Sequence, residues 1–136
     1  MSSEVVTKED LKKILNKILP STAVDYVVEE GTSGIWTYRK WNSGIAECWG
    51  RYQYSTTGTT QWGSIHYNTP TASIAFPTSF FLEAPVVSAL QVSNGIQGMV
   101  AVSSVNTTTA SLYNVRGASS GSGTLIFSVH ALGRWK

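Results

Sequence analysis

The residues best suited to chemistry in this 136-residue chain are two histidines, His66 and His130, one cysteine, Cys48, and a few scattered carboxylates. A Ser/His/Asp relay needs a carboxylate beside a histidine, but the two aspartates, Asp10 and Asp25, lie in or at the edge of the N-terminal extension. Two isolated histidines and a lone cysteine give no zinc spacing, so no metal or other cofactor is expected. Glycoside hydrolysis requires two carboxyl groups facing one another across a cleft. The body offers Glu47, Glu83 and the neighbours Glu29 and Glu30, and Glu47 already has a structural use. The glycine-rich segment 117–123 lacks the lysine and the following helix of a phosphate-binding loop and reads as a turn. Asn106-Thr107-Thr108 fits an N-glycosylation acceptor, a triplet too common to carry weight. These residues predict a protein that is not an enzyme. The aromatic residues are more promising, since Trp and Tyr bury large area and still hydrogen-bond at their edges. Trp36 and Trp49 read as core or interface, whereas Trp62, Tyr67 and Tyr113 stand beside polar turn residues as candidates for exposed aromatic contacts.

The elements that must position these side chains are almost all strands. Thr7 is a helix N-cap with Asp10 three residues later, and Leu11, Ile14, Leu15, Ile18 and Leu19 recur at helical spacing before Pro20 ends the run. A helix of this length is marginal in water alone, so its stripe must pack either on its own domain or on other copies. Leu11, Ile14 and Ile18 follow the step of a coiled-coil seam, flanked by Lys8, Lys12, Lys13 and Lys17, and are the candidate oligomerisation residues. After residue 20, β-branched and aromatic runs alternate with Gly/Ser/Thr/Asn breakers, predicting an all-β antiparallel sandwich preceded by a short N-terminal α-helix.

Residues 35–54 predict a hairpin with Asn42-Ser43-Gly44 as its turn, Gly44 taking the left-handed conformation. Either register places Glu47 opposite Lys40 or Arg39 as a cross-strand ion pair. Further strands are expected at 63–67, 73–76, 86–93, 99–105, 110–115 and 124–132. In the last, Leu125, Phe127, Val129 and Ala131 form a dry face, with Ser128 and His130 on the other. Residues 1–24 are thus expected to form a helical oligomerisation segment and linker, and 25–136 a single sandwich domain.

Charge sharpens the exclusions. Charged residues make up 13% of the chain, and between Tyr52 and Gly133 the only formal charges are Glu83 and Arg116. No basic stripe tracks a phosphate backbone, which excludes nucleic acid as a partner. A surface of Ser, Thr, Asn, Gln and Tyr suits neutral, hydroxyl-rich ligands or burial against neighbouring subunits. Cys48 has no second cysteine with which to form an intrachain disulfide and is expected as a small core residue. The charges scattered through the first 20 residues fit neither a signal peptide nor a membrane span.

Asp25-Tyr26-Val27-Val28-Glu29-Glu30-Gly31, followed by GIWTYRKWNSGIAECWG at 34–50, resembles the C-terminal domains of tail-fibre proteins from phages and prophages of Gram-positive, often gut, bacteria. The closing Ala131-Leu132-Gly133-Arg134-Trp135-Lys136 is similar to the ending of those domains, as is the Phe76-Pro77-Thr78-Ser79-Phe80 segment before Pro85-Val86-Val87. The resemblance implies an H-type-lectin-like fold, a six-stranded antiparallel sandwich that assembles as a homotrimer at a fibre tip. It also implies a place in the virion, contact with other tail proteins, and adhesion to bacterial cell-surface polysaccharide. H-type lectins bind sugars between subunits near strand ends. By that analogy Asn94, Tyr113, Asn114 and Arg116 are candidate ligand residues, beside Trp62 and Tyr67.

Overall fold

A computed structural model describes residues 7–18, 24–92 and 98–136, without the side chains of residues 15, 16 and 18. Helix α1 spans Lys8–Ile18. Its start is a reciprocal capping box: the Asp10 amide donates to Thr7 Oγ1 at 3.2 Å and the Thr7 amide to Asp10 Oδ2 at 3.1 Å. The Thr7 amide, and after it the Thr7 hydroxyl donating to Asp10 Oδ2 at 2.9 Å, hold the Asp10 carboxyl below its ordinary value. Leu11 and Ile14 are half exposed, while the Ile18 side chain and the expected stop at Pro20 lie outside the described residues.

Ten strands follow among the described residues: β1 (Val27–Ser33), β2 (Trp36–Trp41), β3 (Ile45–Thr56), β4 (Gly58–Trp62), β5 (Ile65–Thr69), β6 (Ala72–Ala75), β7 (Val86–Val92), β8 (Met99–Val105), β9 (Thr109–Arg116) and β10 (Gly123–Arg134). They form two antiparallel sheets, the all-β sandwich the sequence predicts, with ten strands where the lectin resemblance implies six. The first sheet runs β1-β2-β3-β10-β7. In the second, β9 is central: β8 lies along one edge, β5 and β6 follow one another along the other, and β4 pairs outside β5. The peptide between β5 and β6, Thr69–Pro70, is cis.

The long strands β3 and β10 pair over their whole length, from Gly123 opposite Thr56 to Arg134 opposite Ile45. Strand alternation then sets the core. Leu125, Phe127, Val129 and Ala131 point inward and are buried, as their period of two predicts, and meet Ala46 and Cys48 of β3 and Ile74, Ala110 and Leu112 of the second sheet. Burial pushes the Cys48 thiol up to about 12, with the Glu47 charge adding to the shift. One end of the core is aromatic, with Phe76, Phe80 and Phe81 packed edge to face on one another. Trp36 joins the sheets there by donating from Nε1 to the Ala75 carbonyl at 2.7 Å.

The hairpin turn forms as expected, with Gly44 at φ 100°. Arg39 stands opposite Glu47 in the register, but the ion pairs differ from expectation. Arg39 and Lys40 turn to β1, pairing with Glu30 at 3.4 Å and Glu29 at 3.0 Å. The Glu47 carboxylate faces His130 Nε2 at 3.2 Å, so His130 is not isolated. The reason is geometric: β2 has a strand on each side, and β1 brings two carboxylates into line with its two cations.

Candidate functional site

The outer face of the second sheet is built by alternation. Leu112 and Asn114 of β9 and Asn68 of β5 are fully buried, so Tyr113, Val115 and Tyr67 between them project outward. Register then gathers their neighbours on the same face: Tyr67 stands opposite Val115 and Thr60, Tyr113 opposite Ala101, and Val115 opposite Met99. The Tyr67 and Tyr113 rings meet at 5.0 Å between centroids, tilted by 60°. With Trp62, Ala101 and Val115 they line a concavity of about 270 Å³. Trp62, 70% exposed, leaves its indole open to solvent.

This face is uncharged. The only formal charge in β4, β5, β6, β8 and β9 is Arg116, and its Nε and Nη2 are buried without a hydrogen-bond partner, while Nη1 donates to Ser120 Oγ at 2.5 Å. Flat rings with edge hydroxyls can stack on the apolar face of a pyranose and hydrogen-bond its periphery. Among the described residues no group of three or more His, Cys, Asp or Glu could bind a metal ion, and no helix is long and apolar enough to cross a membrane.

Three of the residues singled out in the sequence, Trp62, Tyr67 and Tyr113, thus come together. Asn114 and Arg116 do not join them. Asn114 is internal: its amide donates to Asn68 Oδ1 and its Nδ2 to Gln91 Oε1, cross-linking the sheets. Arg116 lies on the same inward face, and Asn94 lies outside the described residues. The sequence puts Asn114 and Arg116 near the end of a strand expected at 110–115, but β9 extends through Arg116. Their alternation with Tyr113 and Val115 was the signal that separates inward from outward. Behind the aromatic face, Asn68 Nδ2 donates to the Tyr54 hydroxyl and, at 2.9 Å, to the Pro70 carbonyl. Burial pushes the Tyr54 hydroxyl up to about 12. This polar layer fixes β5 against β9 and so sets the spacing of Tyr67 and Tyr113.

A second concavity, about 570 Å³, lies on the outer face of the first sheet. It is lined by Trp49 and Arg51 of β3, Ser128 and His130 of β10, and Ser88 and Leu90 of β7. The Arg39 guanidinium lies 5.4 Å from the Trp49 ring centroid. Sequence reasoning missed it because its members come from three strands that only the sheet order brings together.

No family model and no curated protein matches the chain. Solved structures do. The N-truncated R2-type pyocin tail fibre is 20% identical with a TM-score of 0.56, the match covering 94% of this chain and 43% of that one. The R2 pyocin fibre of P. aeruginosa matches with the same identity and TM-score, covering 94% of this chain and 29% of that one. The N-truncated R1-type pyocin tail fibre is 16% identical with a TM-score of 0.50, covering 98% and 99% of the two chains. At these identities the likeness is one of fold, and this chain spans less than half of the R2 fibres it matches.

Proposed function

We propose that this chain is a non-enzymatic tip domain of a phage tail fibre that binds bacterial surface glycans as a homotrimer. Residues 25–136 form the receptor-binding sandwich, and residues 1–24 the segment through which copies join, with Leu11, Ile14 and Ile18 in the seam. The observation that carries this reading is the open, uncharged aromatic face of Trp62, Tyr67 and Tyr113, on a fold shared with pyocin tail fibres. Neutral polysaccharide is the ligand such a face suits, and three copies turn weak single-site contacts into avidity. The Gram-positive gut host follows from the sequence resemblance. The same reading places the protein in the virion beside other tail proteins, without nucleic acid or membrane as partners.

The test is binding of labelled oligomer to Gram-positive wall polysaccharides, comparing wild type with Trp62→Ala and Tyr113→Ala. Loss of one stacked ring is expected to weaken each site about tenfold. Equal binding by all three proteins would remove the aromatic face from the site. A purely structural role in fibre assembly is the second reading. It is favoured by the exposure of Val86 and Leu90 on the outer face of the first sheet, and predicts a stable oligomer without glycan affinity.

A further inference from the structure

The concavity on the outer face of the first sheet brings a cation, an indole and hydroxyl groups together. Alternation builds it. Leu125, Phe127, Val129 and Ala131 fill the core, so Ser128 and His130 between them project outward. Register then sets Trp49 and Ser88 on either side of His130, and Arg51 and Leu90 on either side of Ser128. These six residues line the space of about 570 Å³, within the range of small-molecule sites, about 300–1,000 Å³. Its charges are placed at opposite ends. Elsewhere in the sandwich, Arg39 and Lys40 pair with Glu30 and Glu29, Arg116 donates to Ser120 Oγ, Arg134 donates to the carbonyls of Ser43 and Lys136, and Lys136 lies against the Trp135 ring. Arg51 is the one lysine or arginine of the sandwich without a partner among the described residues. The only acid on β3, Glu47, lies four residues from it on the same face, roughly 13 Å along the strand, and its carboxylate is engaged with His130 Nε2 at 3.2 Å. Trp49 stands between the two, with the Arg39 guanidinium 5.4 Å from its ring.

We infer that this concavity binds an acidic sugar, a uronate whose carboxylate sits on the Arg51 guanidinium, with a neutral sugar ring next to it toward His130 and Glu47. The inference rests on the proposed glycan-binding role and adds a second site of different specificity. An arginine fork matches the two oxygens of a carboxylate, and without a carboxylate partner in the fold its donors are left for a ligand. Trp49 and Leu90 supply carbon surface for the C–H face of a ring. Ser88 and Ser128 place hydroxyls on the same face for its polar edge. The Glu47 charge at the far end repels a second acid, so the site suits one acidic ring beside a neutral one and not a uniformly charged polymer. The face of Trp62, Tyr67 and Tyr113 carries no charge and has nothing with which to tell a uronate from its neutral counterpart.

The test uses two disaccharides that differ only in one carboxylate: cellobiouronic acid, which is glucuronate linked to glucose, and cellobiose. Each is titrated into the isotope-labelled full chain and followed by amide chemical shifts, for wild type, Arg51→Gln and Trp62→Ala. Wild type is expected to bind the acid about tenfold more tightly than cellobiose, with the amides of Ser88, Ser128 and His130 shifting. Arg51→Gln is expected to lose that preference and Trp62→Ala to keep it. No preference for the acid in wild type, or a preference that survives in Arg51→Gln, would overturn the site. Acid-induced shifts confined to β4, β5 and β9 would overturn it too, and because they are read on wild type they decide the location whether or not a variant folds. Failure here is distinct from failure of the glycan-binding role: a wild type that binds neutral wall polysaccharide but does not prefer the uronate loses this site alone.

Discussion

Tyr54 and Cys48 show how single side chains record the core. Burial raises the Tyr54 hydroxyl from 10.0 to about 12, so folding favours its neutral form. That contribution is complete below pH 10, declines as pH rises between the unfolded and folded values, and is absent above both. Urea midpoints of wild type should therefore fall between pH 10 and 12, and those of Tyr54→Phe should fall less over that interval. The same burial holds Cys48 neutral, so a thiol reagent at pH 8 should label it only as fast as the chain unfolds, with labelling in denaturant complete within the mixing experiment. Trp36→Phe is expected to cost about 1–3 kcal/mol in a denaturation experiment, because it keeps most of the packing but leaves the Ala75 carbonyl without its Nε1 donor. A stability unchanged from wild type would show that water replaces that donor.

At the scale of elements, close approach matters more than propensity. Gly50 of β3 has no space for a side chain, because a Cβ there would run into the carbonyl of Ile35. Gly50→Ala should lower stability by about 2 kcal/mol or more, while alanine at Gly117, where a Cβ meets nothing, should leave the thermal midpoint within a degree or two. Legibility in the sequence varies in the same way from element to element. β10 was readable because its inward residues alternate with Ser128 and His130 over the whole strand, and β8 matched its expected bounds. β1 and β4 were not, since VVEEGTS places two adjacent charges mid-strand and GTTQW has no apolar alternation. What holds β1 is tertiary, its ladder with β2 from Val27 opposite Trp41 to Ser33 opposite Trp36, to which the two part-exposed ion pairs add little, and no local pattern encodes it.

At the scale of the molecule, the low charge of residues 52–133 was legible as a composition, but its meaning depends on the fold. The structure turns one of the two charges, Arg116, toward the interior and leaves the outer face of the second sheet neutral and aromatic. Trp62, Tyr67 and Tyr113 could be named from their polar surroundings; that they share a face could not, because β4, β5 and β9 meet only through the sheet order. The proposed fibre tip therefore presents an open, uncharged aromatic face suited to a neutral sugar. The measurement that tests this most directly is binding of the size-characterised wild-type oligomer to a panel of Gram-positive wall polysaccharides and simple glycans. Saturable binding, displaced by the free polysaccharide, is the predicted result; a folded oligomer that binds none of the panel would contradict the account and leave a structural fibre module in its place.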